Sequence, residues 1–166
     1  YRYAANSLND FYPNMPKLNV DTVLVSQQKS LKEIETIKKR YNFKTVTQSI
    51  TDIVNDKSID AVYVASPNNF HHDQVKKCIL AGKHVLCEKP MSTNIEESAE
   101  MLRLSQSAGV VANMVFEYRF IPAISKIKEL IESGALGDII QFRALYLHGS
   151  YIEERPLTWR LQEGTG

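Results

Sequence analysis

The sequence predicts an α/β fold built on a doubly wound parallel sheet, and three observations predict it. Short β-branched runs recur along the chain, each is followed by apolar residues at helical spacing, and the joints between them are short. Parallel strands need a crossover connection, and an amphipathic helix supplies one. The 166 residues suffice for one good core, or for one domain and part of another. An apolar fraction of 43% excludes disordered and collagen-like chains.

The first strand in this pattern is "DTVLV", Asp21 to Val25, a continuous apolar run of the kind buried on both faces of a sheet. In the following "SQQKSLKEIETIKKRY", Leu31, Ile34 and Ile37 form one helical face against a lysine-rich outer one. The alternation returns as "TVTQ" before "SITDIVND", and as "DAVYVAS" before a helix expected from about Phe70 to Ala81. It continues as "HVLC" before "NIEESAEMLRLSQSAG", and as "VVANMVF" before "PAISKIKELIESG". Thr93 or Asn94 is placed to cap a helix whose first turn carries Glu96 and Glu97, where the helix dipole favours acids. Gly82, Gly109 and Gly134 stand where three of these helices should stop.

After Arg119 the texture changes. "DIIQFRALYLH" reads as a long strand with no crossover strand after it. The expected organisation is therefore one domain over residues 1–119 and the start of a second over 120–166. At the other end, "YRYAANSLNDFY" has a helical pattern without a strand in front, so a first strand and a tight glycine turn are expected to precede it.

A net charge of +1 with both signs interspersed leaves no broad basic field for nucleic acid or acidic lipids. No apolar run approaches the roughly 20 residues needed to cross a bilayer, and the first residues do not form a signal peptide. The expectation is a cytoplasmic protein that binds neither nucleic acid nor membrane. Cys78 and Cys87 read as reduced core residues. With His71, His72 and His84 they match no zinc-ligand spacing, so no metal is expected.

In an open parallel sheet, ligands sit beyond the carboxyl ends of the strands. Three segments fall there: Ser26 and Gln27, the turn "SPNNFHH" from Ser66 to His72, and "EKP" from Glu88 to Pro90. The residue ending the second strand of a dinucleotide-binding domain is commonly an acid that holds the adenosine ribose. Ser26 and Gln27 stand in its place, which removes a charge that would repel a 2′-phosphate and leans toward NADP over NAD. Lys29 is near enough to meet such a phosphate, or is simply an exposed helix lysine. Ser66, Asn68, Asn69 and a helix start offer hydrogen bonds to a ribose or pyrophosphate, or form a capped turn. Lys89 can hydrogen-bond an oxygen that gains or loses a proton during hydride transfer, with Glu88 orienting it or holding a ribose hydroxyl. The plain alternative is a surface ion pair worth about 0–1 kcal/mol.

"DAVYVASPNNFHHDQVKKCILAGKHVLCEKPMS" resembles the central signature of the glucose-fructose oxidoreductase, inositol dehydrogenase and rhizopine-catabolism (Gfo/Idh/MocA) oxidoreductases. The resemblance continues through "YRFIPA", "IESGALGDI" and "PLTWR", covering about Asp21 to Arg160. It implies a Rossmann-type domain followed by a domain with a large open, mostly antiparallel sheet. It also implies an NAD or NADP cofactor and a hydride passed to or from a sugar, cyclitol or related carbinol. In the roles so implied, Ser66, Pro67, Asn69 and His71 line the cofactor, Glu88 lies near the nicotinamide ribose, and Lys89 is catalytic, touching cofactor and substrate oxygen. Trp159 and Arg160 reach back toward the cofactor, and Arg119 closes the crossover near the substrate. The family's glycine-rich turn would lie before Tyr1, and its downstream Asp and His would follow "GTG" at Gly164 to Gly166, so the segment alone is expected to turn over little. The resemblance further implies a homo-oligomer, dimer or tetramer, joined through the second domain. The competing reading is a non-catalytic dinucleotide-binding sensor or scaffold, against which the retained "EKP" argues.

Overall fold

A computed structural model of the chain describes residues 22–24, 29–147 and 149. β1 (Thr22–Leu24) and β2 (Thr45–Thr47) pair in parallel, Val23 opposite Val46. The crossover between them is α1 (Leu31–Tyr41). Its start is fixed by a reciprocal cap: the Glu33 amide donates to the Ser30 hydroxyl, and the Ser30 amide donates to the Glu33 carboxylate at 2.9 Å. A short helix, α2 (Ile50–Asn55), follows with Ser49 as its N-cap.

The second ladder holds the core. β3 (Ala61–Val64), β4 (His84–Cys87) and β5 (Ala112–Met114) lie side by side in that order, all parallel, with Val64 opposite Cys87 and Cys87 opposite Met114. α3 (His71–Leu80) joins β3 to β4, and α4 (Ile95–Ala108) joins β4 to β5. Crossovers of one hand put successive helices on one side of a parallel sheet, and α3 and α4 pack on each other as that requires. Val64, Val85 and Cys87 point into this layer, where they meet Val75, Cys78 and Ile79 of α3 and Met101 of α4. The strand period of two sends Tyr63 and Leu86, which are paired in register, to the opposite face. Among the described residues that second face is not covered by a helix: Ala61, Tyr63, His84 and Asn113 are exposed.

Polar contacts fix the helix positions. Lys83, buried, donates its ammonium to the Asp56 carbonyl at 2.6 Å and so pins the turn before β4 to the turn before β3. Glu100 of α4 accepts from Lys76 of α3 and lies against His72 Nε2, each at 2.7 Å. Of the two candidate caps for α4 it is Asn94 that accepts from the Glu97 amide, at 2.8 Å. The helix ends on Gly109 at φ 65, a left-handed conformation that glycine adopts without a side-chain clash.

Two expectations are corrected. The first is only a matter of one residue at each end: the helix expected over about Phe70 to Ala81 is present as His71–Leu80, with Phe70 and Ala81 as its caps and the Asn68–Phe70 3₁₀ turn feeding it. The long strand expected from Asp138 does not form: residues 138–147 carry no strand, with Ile140 96% exposed. A strand satisfies its backbone only by pairing, and no described segment pairs with this one. Before it, a 3₁₀ turn (Glu117–Phe120) leads into α5 (Pro122–Glu132), which starts on the proline that a helix tolerates at its first position. No helix among the described residues is long and apolar enough to cross a membrane.

Candidate active site

Because β3 and β4 are parallel and end level with each other, the segments leaving them start side by side. The Glu88 amide donates to the Val64 carbonyl at 2.8 Å, extending the ladder one step past the strands. This brings together the turn from Ser66 to Asn69 and the turn from Glu88 to Pro90, two of the three segments the sequence marks as ligand-facing. The Lys89–Pro90 peptide bond is cis.

Glu88 continues the alternation of β4, so it lies on the same side of the sheet as Leu86 and Tyr63. The Tyr63 hydroxyl donates to Glu88 Oε1 at 2.5 Å, and the Lys89 amide donates to Oε2 at 3.2 Å. Burial first, and then the carboxylate beside it, push the Tyr63 phenol well above its ordinary range, so it stays a donor. The carboxylate thus braces the backbone of Lys89, not its amine. The Lys89 side chain is exposed, and among the described residues no acid pairs with its ammonium. The surface ion pair between Glu88 and Lys89 is therefore not what this segment forms.

On the other side of the sheet, His71 is 1% exposed, although it was expected to line the cofactor. Its Nδ1 lies 2.7 Å from the Pro90 carbonyl and its Nε2 lies 2.8 Å from the Ser66 carbonyl. The reason is helical phase: His71, Val75, Cys78 and Ile79 share the inward stripe of α3, while His72 falls outside it. The Ser66 hydroxyl donates to Gln74 Oε1 at 2.8 Å, Pro67 caps the 3₁₀ turn, and Asn69 is exposed at its tip.

Arg119 lies past the end of β5, with its guanidinium 5.2 Å from the centre of the Phe116 ring and no ion pair among the described residues. Lys29 pairs with Glu33 at 2.7 Å, and this pair with the Ser30 cap holds the Glu33 carboxyl down at about 2. Ser26, Gln27, Trp159 and Arg160 lie outside the described residues. His84 Nδ1 accepts from the Val111 amide at 3.0 Å, and burial pushes the Cys78 and Cys87 thiols up to about 11 and about 12. Among the described residues no three His, Cys, Asp or Glu side chains converge as a metal site.

Sequence reasoning missed Tyr63 and the inward role of His71, and signals for both exist. In "DAVYVAS" the tyrosine is the one residue with a polar tip in an otherwise apolar strand, two positions of like parity from Glu88 once β3 and β4 are set in register. In "HHDQVKKCI" the first histidine begins the i, i+4, i+7 apolar stripe.

The arrangement suits a nicotinamide nucleotide. A carboxylate has about four acceptor positions, and Glu88 uses two on Tyr63 and Lys89, leaving acceptors for a ribose diol. The exposed Lys89 amine stands next to it.

Residues 2–116 match the family model described as "Oxidoreductase family, NAD-binding Rossmann fold". A levoglucosan dehydrogenase of Pseudarthrobacter phenanthrenivorans is 36% identical over 126 residues, 75% of this chain and 32% of the relative. A scyllo-inositol 2-dehydrogenase (NADP(+)) of Bacillus subtilis is 34% identical over 131 residues, 79% of this chain and 36% of the relative. In three dimensions, a levoglucosan dehydrogenase in complex with NADH and levoglucosan superposes with a TM-score of 0.85 at 30% identity, over 96% of this chain and 43% of the other. The chain spans about a third of the length of the curated relatives it matches. The parallel ladder, the two joined turns at its carboxyl end and these matches make the chain a member of the Gfo/Idh/MocA oxidoreductase family, with an NAD-binding Rossmann fold.

Proposed function

We propose that the full-length protein is an NAD(P)-dependent oxidoreductase that moves a hydride between a nicotinamide cofactor and a sugar, cyclitol or related carbinol. The observation that carries this reading is the exposed Lys89 held beside the Glu88 carboxylate at the carboxyl end of the central strand β4. When bound, the cofactor supplies the hydride acceptor or donor. The free lone pairs of Glu88 hold hydroxyls of the nicotinamide ribose, while Ser66, Pro67 and Asn69 line the cofactor's path across the β3 turn. Lys89 Nζ hydrogen-bonds the substrate oxygen and moves the proton that accompanies hydride transfer. Ser26 and Gln27 meet the adenosine ribose, Trp159 and Arg160 reach the cofactor from the second domain, and Arg119 borders the substrate.

The activities named for the relatives support a polyhydroxylated substrate, levoglucosan in one and scyllo-inositol in another. They span both cofactors, with NADH bound in one and NADP(+) named in the other. Residues 120–166 begin the substrate domain, with its large, mostly antiparallel sheet completed by pairing partners, and that domain joins copies of a cytoplasmic homo-oligomer. A sensor of the same fold would have no use for an exposed amine that pairs with no acid among the described residues. The test is mass-spectrometric identification of the nucleotide that co-purifies with the full-length protein, followed by absorbance assays on sugars and cyclitols. NAD or NADP with turnover of a polyol is the expected result. A tightly held nucleotide without turnover on any of them would favour the sensor.

A further inference from the structure

We propose that His71 is a positioning residue for Lys89: its buried ring ties the Ser66 carbonyl, at the head of the cofactor turn, to the Pro90 carbonyl, next to the catalytic amine. This rests on the reading of Lys89 as the amine at the reacting oxygen.

The geometry is specific. His71 is 1% exposed, its Nδ1 is 2.7 Å from the Pro90 oxygen and its Nε2 is 2.8 Å from the Ser66 oxygen. Both partners are carbonyl oxygens, so the ring nitrogen that carries the proton donates to the carbonyl it faces, and the tautomer sets which of the two that is. The ring shares the inward stripe of α3 with Val75, Cys78 and Ile79, all buried in the core. It therefore transmits a fixed height from the helix to two loops that otherwise have separate strands as their base. From the opposite face, Tyr63 holds Glu88, which in turn accepts from the Lys89 amide. The residues before and after Lys89 are thus gripped from opposite sides of the sheet while its side chain stays in solvent. An amine that must meet a substrate oxygen within a few tenths of an ångström needs such a frame, since a displacement of about 1 Å can cost about 10²-fold in rate.

The two ring nitrogens can be separated by substitution in the full-length protein. Asparagine places an amide donor near the position of Nδ1, and glutamine places one near that of Nε2. His71→Asn keeps the Pro90 contact and releases Ser66, whereas His71→Gln keeps Ser66 and releases Pro90. The expected result is that His71→Gln lowers kcat by about 10²-fold and His71→Asn by less than about tenfold. Because the effect runs through the amine, His71→Gln should lower the residual turnover of Lys89→Ala no further. A structural role alone would weaken both variants alike and would multiply undiminished onto Lys89→Ala; either result overturns the proposal. If His71→Asn does not fold, the cycle of His71→Gln with Lys89→Ala decides alone. Full turnover in Lys89→Ala itself would overturn the assignment of the amine, and this proposal with it. An inactive Lys89→Ala beside a fully active His71→Gln would overturn the positioning role only.

Discussion

Residues 61–115 and residues 117–147 are both rich in apolar side chains, yet only the first stretch buries them. In the first, Val64, Val75, Cys78, Ile79, Val85, Cys87 and Met101 close on one another. In the second, Ile124, Ile127 and Ile131 line one side of α5 and remain exposed, and residues 138–147 hold no strand. The difference lies in partners, not propensity. Each strand of the first stretch has a neighbour supplied by its own crossover, and each helix has the sheet to cover. The second stretch has the pattern of a strand and an amphipathic helix without a described surface to complete either. For the site this contrast is productive: the turns after β3 and β4 rest on the part of the chain that packs, so their side chains can be aimed.

The largest effect that would break or sharpen this comparison is in the core. In this chain, Ile79→Ala removes a 1% exposed side chain from the centre of the α3 layer and should lower unfolding free energy by about 2–5 kcal/mol in denaturant titration. A loss under about 1 kcal/mol would mean that the layer is not packed as described. At the small end, Ile127→Ala alters a residue 46% exposed and should stay within about 0.5 kcal/mol. A core-sized loss at Ile127 would show that α5 has found a covering surface, and the two regions would cease to differ.

Between these lies the pairing of α3 with α4. Hydrogen bonds from Lys76 and then His72 hold the Glu100 carboxyl below its ordinary value of 4.5. A carboxyl whose folded value is depressed stabilises the fold above its unfolded value, and that contribution is lost as pH falls through the folded one. Unfolding midpoints followed downward from about pH 6 should therefore drop in the acid range, and Glu100→Gln should remove the part of the drop due to this pair. An unchanged acid profile in that variant would sever the electrostatic link between the helices.

Much of this was legible in the sequence because it is local. A helix announces itself through a capping residue and acids in its first turn, as at Asn94, Glu96 and Glu97, and a buried strand through a β-branched run such as "AVYV". The site was legible as loop residue types: "SPNN" and "EKP" each carry ligand chemistry, and a parallel sheet brings their ends together. Which way a side chain faces was harder to read, because it depends on helical phase and strand register together. His71 turns inward although its neighbour His72 does not, and Tyr63 reaches Glu88 across 25 positions of sequence. The strand after Asp138 failed for the converse reason: its pattern is real, and its pairing is not a property of the segment itself.

The central claim is that the apolar half of "HVLCEKP" exists to hold Lys89 at the reacting oxygen, and one measurement tests it most directly. In the full-length protein, kcat and cofactor affinity are measured for Lys89→Ala beside the unaltered enzyme. The account predicts that kcat falls by about 10²–10⁴-fold, the range for loss of a proton-transfer group, while cofactor affinity stays within about threefold. Turnover at the unaltered rate with cofactor bound would contradict it.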